Sequence, residues 1–193
     1  GVAIWRSLLA ETSASDDPDV RTQETRASVF STHPVTTARI AALAELAGDA
    51  PDRSQAELQA AMKRHRAAIR PYLGEWLRED LRRRDYGQTL YILSRLTGAG
   101  EDEGLLAYYR GEAYRMRGAT GDSILALEAY RSAVSFPDAP VVAWRELGET
   151  LRRSGDIAGA VQALSAYLAK APQADDRWLV ETTLKSLQPG AAT

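Results

Sequence analysis

The chain has 193 residues, room for one elongated domain or one and a half compact ones. Its 45% hydrophobic content excludes wholesale disorder, and a net charge of −2 argues against a dedicated nucleic-acid binder. With no cysteine there is no disulfide scaffold and no thiolate site, and no apolar run reaches the ~18 residues that a membrane-spanning helix needs.

Residues 2–11, "VAIWRSLLAE", place Ile4, Leu8 and Leu9 at helical spacing with Trp5 beside them. The next segment, "TSASDDPDVRTQETRASVFS", mixes small polar residues, acids and Pro18, and reads as a long, poorly ordered loop. Pro34 disfavours helical geometry at His33, and Thr36 or Thr37 can cap a helix through "ARIAALAELAG", with Ile40, Leu43 and Leu46 on one face and a stop at Gly48. After the turn "DAPDRS", Ser54 can cap "QAELQAAMKRHRAAI", and Pro71 either kinks that helix or starts a fresh one. From there to Leu187 the segments read as helices of about 12–16 residues broken by Gly, Asp or Pro, and none alternates like a strand. The expected fold is all-α, in three parts: N-terminal helices and a loop over 1–50, a helical hairpin over 51–99, and repeated hairpins with a capping helix over 100–190.

Internal repetition supports the last part. Residues 144–172, "WRELGETLRRSGDIAGAVQALSAYLAKAP", carry Trp144, Leu147-Gly148, Gly155, Ala160, Leu164 and Pro172 at the spacing of a tetratricopeptide repeat (TPR). Leu151 and Leu164 stand where Tyr and Phe are usual, and both remain large and apolar. Gly148 and Ala160 are small, as two antiparallel helices in close approach require, with Trp144 and Leu147 filling the space between them. The preceding unit matches at Gly111, Tyr114, Ala126, Tyr130 and Ala133, and Ala126 lies 34 residues before Ala160, the TPR period. Gly111 and Gly148 are 37 apart, so the earlier unit holds three extra residues around its turn "RGATGD". Leu73, Leu77, Thr89 and Leu93 mark a degenerate repeat over 70–99, and 173–187 would cap the last apolar face, giving a short TPR-type α-solenoid of antiparallel hairpins.

On the first helices of the two clear units, a second stripe runs at spacings of three, four and three: Leu105, Tyr108, Glu112, Arg115, then Val142, Arg145, Glu149, Arg152. It lies roughly 100° round the helix from the small packing residues. Mixed charge with an aromatic suits an extended peptide or a partner's helix, which makes Tyr108, Glu112, Arg115, Arg145, Glu149 and Arg152 the candidate partner-binding residues. The simpler alternative is a solvated face with no ligand.

The order of the pieces resembles the C-terminal half of M48-family zinc metallopeptidases with a TPR tail. The segment "FSTHPVTTARIAAL", residues 30–43, looks like the end of that family's catalytic domain, and "YLAKAPQADDRWLVETTLKSL" like its close. The H-E-x-x-H helix, which in such enzymes supplies two zinc ligands and the general base, is absent, so on this resemblance the chain begins after the chemistry. The resemblance then implies a non-catalytic interaction module that docks substrates or partner proteins in a periplasmic setting. Zinc would belong to the parent enzyme, and His33 would sit in a loop near the missing zinc site. One histidine without a second His or a Cys nearby builds no zinc site of its own. A free-standing TPR adaptor unrelated to proteolysis is the alternative.

Other features read more plainly. Over 63–84 eight Lys and Arg outnumber three acids, a local +5 that reads as a solvated helix face with His65 exposed on it. Asp16-Asp17 and Asp175-Asp176 read as helix-start and solubility residues, without a catalytic partner in view. No cofactor-binding motif, phosphate loop, Ser-His-Asp order or Cys nucleophile occurs.

Overall fold

Ten helices and no strand make up the regular structure of the residues that this computed structural model describes, 2–23, 36–47, 54–98 and 100–187. The chain is all-α. It divides into two compact units, Gly1–Ser94 and Arg95–Thr193.

In the first unit α1 (Val2–Ser13) packs on α2 (Pro18–Gln23) and α3 (Thr36–Ala47), and the Arg39 guanidinium stands 4.4 Å from the centre of the Trp5 ring. The segment read as a loop from residue 12 onward contains α2. Pro18 takes the first helical position, where its missing N–H is no loss, and the Asp17 carboxylate accepts from the Asp19 N–H at 2.8 Å. The turn before α2 is bound to the start of α5 (Tyr86–Leu96). Asp85 accepts from the Ser15 hydroxyl and the Asp16 N–H, and the Gly87 N–H donates to Asp16 at 2.8 Å. Asp16 is therefore a bound side chain, not merely a solubility residue. A side chain at 87 is excluded, because its Cβ would lie 2.1 Å from the Ala14 carbonyl oxygen. Of the apolar face of α3, Ile40 and Leu43 are half-buried, and Leu46, in the last turn, is 81% exposed.

Helix α4 (Gln55–Arg82) begins with the expected cap at Ser54, completed as a capping box. The Glu57 N–H donates to the Ser54 hydroxyl, and the Glu57 carboxylate accepts from the Ser54 N–H at 2.9 Å. Pro71 does not start a fresh helix: α4 runs through it, 28 residues in all. Leu73, Leu77 and Leu81, spaced by four, form its buried stripe beyond the proline, and their burial offsets the one backbone bond that Pro71 forgoes. Thr89 and Leu93, read as positions of a degenerate repeat, are fully buried on α5.

The second unit holds α6 (Glu103–Arg117), α7 (Asp122–Val134), α8 (Val142–Ser154), α9 (Ile157–Lys170) and α10 (Arg177–Ser186), each packed on the next. Gly118 and Gly155 end α6 and α8 in the left-handed conformation (φ 65° and 88°), so very short turns reverse the chain into the α6–α7 and α8–α9 hairpins. Within each hairpin a glycine of the first helix lies against a large side chain of the second. A Cβ at Gly111 would meet the Tyr130 ring at 2.5 Å, and a Cβ at Gly148 would meet Leu164 Cγ at 2.6 Å. The close partner of Gly148 is thus Leu164, whereas Ala160, one turn earlier, packs with Ala126, Tyr130, Leu147 and Leu151. Trp144 is half-buried and joins two clusters, Ala107-Ala133-Ala143 and Leu164-Tyr167-Val180. Val180, Leu184 and Leu187 lay the apolar face of α10 on the latter.

Candidate functional site

The candidate stripe lies on α6 and α8, and three of its charged members, Glu112, Arg115 and Arg145, belong to a network that continues to α10. At its buried end the Tyr130 hydroxyl, on a fully buried side chain, donates to Glu112 at 2.5 Å. The Arg115 guanidinium grips the same carboxylate with two N–H groups, at 2.6 and 3.1 Å, and its Nε lies 3.8 Å from Glu146 on α8. Glu146 also accepts from Arg145 at 2.7 Å, and Arg145 reaches Asp176 at the head of α10. The second oxygen of Asp176 accepts from the Tyr167 hydroxyl of α9 at 2.6 Å. One chain of hydrogen bonds and ion pairs therefore runs through five successive helices, its α6–α8 link being the looser Arg115–Glu146 pair.

Electrostatics follow from that geometry. Burial pushes the Tyr130 hydroxyl above the usual phenol range, and the Glu112 carboxylate adds to the effect. Burial and Glu112 do the same to Tyr108, whose ring stands edge-on to Tyr109. The Glu112 hydrogen bonds hold the Arg115 charge firmly. At Arg145 burial opposes the charge, but the bonds from Asp176 and Glu146 outweigh it. At neutral pH the two tyrosines therefore stay neutral and the two arginines stay charged.

The structure brings the six candidates onto adjoining helices but does not leave all six open. Glu112 is buried, Tyr108, Arg145 and Glu149 are half-buried, and Arg115 and Arg152 are exposed. Arg152 pairs only with its neighbour Glu149, at 3.0 Å. Reversing Arg145 to Glu would cost folding, because its partners Glu146 and Asp176 would face a third carboxylate. Asp176, read as a solubility residue, is the link to α10. Asp176, Glu146, Tyr130 and Tyr167 escape a sequence reading because partners 9–31 residues apart obey no helical spacing. His33 lies outside the described residues, and His65 is exposed. Among the described residues no group of three or more His, Asp or Glu side chains is placed to hold a metal ion.

A cavity of about 510 Å³ opens between the α6–α7 turn and the end of α8, lined by Arg115 of the stripe and by Tyr114, Ile124, Leu127, Thr150 and Arg153 among others. Its lining is mainly apolar, and it holds no acid–base pair.

No protein-family model, curated protein or solved structure matches this chain.

The second unit should lose stability in acid. Asp122 is buried, held by two N–H groups of Arg117 (2.8 and 2.9 Å) and by the Ala119 N–H, and the Arg117 bonds keep its pKa below the usual aspartate value. Asp176 is lowered too: burial acts the other way but is outweighed by Tyr167 and Arg145. A depressed carboxylate stabilises fully above its unfolded pKa, about 3.9, and the contribution is lost as pH falls through the lower folded value. Thermal unfolding between pH 6 and pH 2.5 should show midpoints falling below about pH 4, with a smaller acid-dependent fall in Asp122→Asn. Equal falls in both proteins would exclude Asp122 as a source.

Proposed function

We propose that this chain is a non-catalytic protein–protein interaction module of TPR type, the C-terminal region of an M48-like zinc metallopeptidase, docking substrates or partner proteins in the periplasm. The observation that carries the interaction reading is the duplicated hairpin. Tyr130 and Leu164 stand 34 residues apart, and each seats on a glycine of the helix before it. That duplication sets the first helices α6 and α8 side by side, joined through Arg115 and Glu146, with Tyr108, Arg115, Glu149 and Arg152 on their accessible side. The buried network keeps this surface rigid, so little ordering entropy opposes binding of an extended or helical peptide. The peptidase part of the proposal rests on the resemblance of residues 30–43 and of the chain's close. An H-E-x-x-H in the coding sequence ahead of Gly1 supports it, and a start codon at that point favours a free-standing adaptor.

Binding tests the module directly. Peptides selected by display on the intact chain should bind Arg152→Glu or Glu149→Lys roughly tenfold more weakly, about 1.4 kcal/mol, with helicity unchanged. Arg145 is not a usable probe, since its reversal disturbs folding and binding together. The same protein should cleave no casein and take up no stoichiometric zinc in calorimetry. Selected peptides that bind both variants as tightly as the native chain would displace the proposed surface.

A further inference from the structure

The cavity between the α6–α7 turn and the end of α8 carries an unpaired polar group on a mainly apolar wall. Thr150 lines it and is only 8% exposed, yet its hydroxyl has no hydrogen-bond partner among the described residues. A buried hydroxyl in that state bears a desolvation penalty that a bound ligand can remove. Ala126, also buried, lines the same cavity, and Ile124, Leu127 and Tyr114 extend its apolar surface. Ile124 is 63% exposed, so a ligand's carbon chain would gain by covering it.

Charge is one-sided here. Arg115 and Arg153 line the cavity, and no Asp or Glu does. Arg115 is held by Glu112 and Glu146, whereas Arg153 forms no ion pair among the described residues. Thr150 and Arg153 stand three apart on α8, so the unpaired hydroxyl and the unpaired cation share one face of that helix. The start of α7 adds to the same sign. Its cap position is Gly121, another lining residue, which has no side chain to accept from the first amides. Asp122, the acid of that first turn, is taken up by Arg117 and the Ala119 N–H. The volume, about 510 Å³, is that of a small-molecule site.

We infer that this cavity binds a small carboxylic acid with an apolar body, of the medium-chain or arylalkyl kind. Its carbon chain lies on Ile124, Leu127 and Tyr114, and its carboxylate meets the Arg153 guanidinium and accepts from the Thr150 hydroxyl. One negative charge matches one unpaired cation; the second charge of a phosphate or a diacid would find only Arg115, already paired. A neutral apolar molecule would leave Thr150 and Arg153 unmet. A peptide's end would bring amide groups for which a mainly apolar wall has few partners. Arg115 borders both this cavity and the surface proposed for peptide partners, but the assignment does not rest on it, and either site can fail without the other.

Calorimetric titration of the whole chain at pH 7 tests this with octanoate, 4-phenylbutyrate, 4-phenylbutan-1-ol, 4-phenylbutylamine and the dipeptide acid acetyl-Ala-Leu. The two simple acids should bind with Kd below about 1 mM, and the alcohol and the amine roughly tenfold more weakly. Arg153→Gln should remove the preference for acid over alcohol. Ile124→Asn, at an exposed position, should weaken acid and alcohol alike. Thr150→Val should bind the acids several-fold more weakly although its free form melts no lower than the native chain, a combination that a purely structural role would not give. Failure of both simple acids to bind at about 10 mM overturns the inference. So does a preference for acid that survives Arg153→Gln, or native affinity in Thr150→Val. Tighter binding of acetyl-Ala-Leu than of either simple acid overturns it too, and gives the cavity to a peptide terminus.

Discussion

Gly148→Leu should cost the second unit about 1–3 kcal/mol, the range for an overpacked core. A single added carbon at 148 already falls 2.6 Å from Leu164 Cγ and 2.8 Å from its Cδ2, well inside van der Waals contact. Leu164 cannot swing aside, because it is fully buried and packed with Tyr167 and Val180. Relief would require α8 and α9 to separate, which would loosen Leu147 and Leu151 from Ala160 and Ala163. For a unit of this size each kcal/mol lowers the melting temperature by about 4–8 °C. The partner is checked by a double-mutant cycle. Leu164→Ala alone leaves a cavity and costs about 2–5 kcal/mol, whereas Gly148→Leu with Leu164→Ala should cost clearly less than the sum of the singles. Strict additivity, or an unchanged melting temperature in Gly148→Leu, would refute the close approach.

Glu112→Ala should be as damaging for a different reason. Its carboxylate accepts the Tyr130 hydroxyl and both Arg115 N–H groups, and its loss strands a buried phenol donor and removes the nearest partner of a cation. An unpaired buried polar group costs about 1–3 kcal/mol. Tyr130→Phe should be milder, about 0.5–1.5 kcal/mol, because Glu112 keeps Arg115. In a Tyr130→Phe background the penalty of Glu112→Ala should shrink, since there is no hydroxyl left to strand. Urea unfolding of the four proteins measures that coupling, and zero coupling would mean that the Tyr130–Glu112 bond contributes nothing to stability.

What was legible in the sequence, and what was not, divides along the range of the interactions. Helical periodicity marks the chain as all-α, because it is a property of neighbours on one helix, and the four residues read as repeat positions, Leu73, Leu77, Thr89 and Leu93, are buried. Ser54 and Glu57 announce their capping box for the same reason. The repeat pattern likewise gives Gly111 and Gly148, 37 residues apart, as small residues of paired helices before any coordinates are seen. Pro71 shows the limit of local reasoning: its penalty is real, but burial of the leucines beyond it keeps α4 in one piece.

At the candidate site the sequence determined which residues share a face, and no more. That Glu112 is buried under Tyr130, that Arg145 is tied to Asp176 and not left free, and that Gly148 meets Leu164 one turn beyond Ala160 were decided by tertiary structure. The physical reason is common to all three. Where a side chain ends, and which charge it meets, depends on how one helix is rotated against the next, and that rotation is set by the summed packing of many residues far apart in the chain.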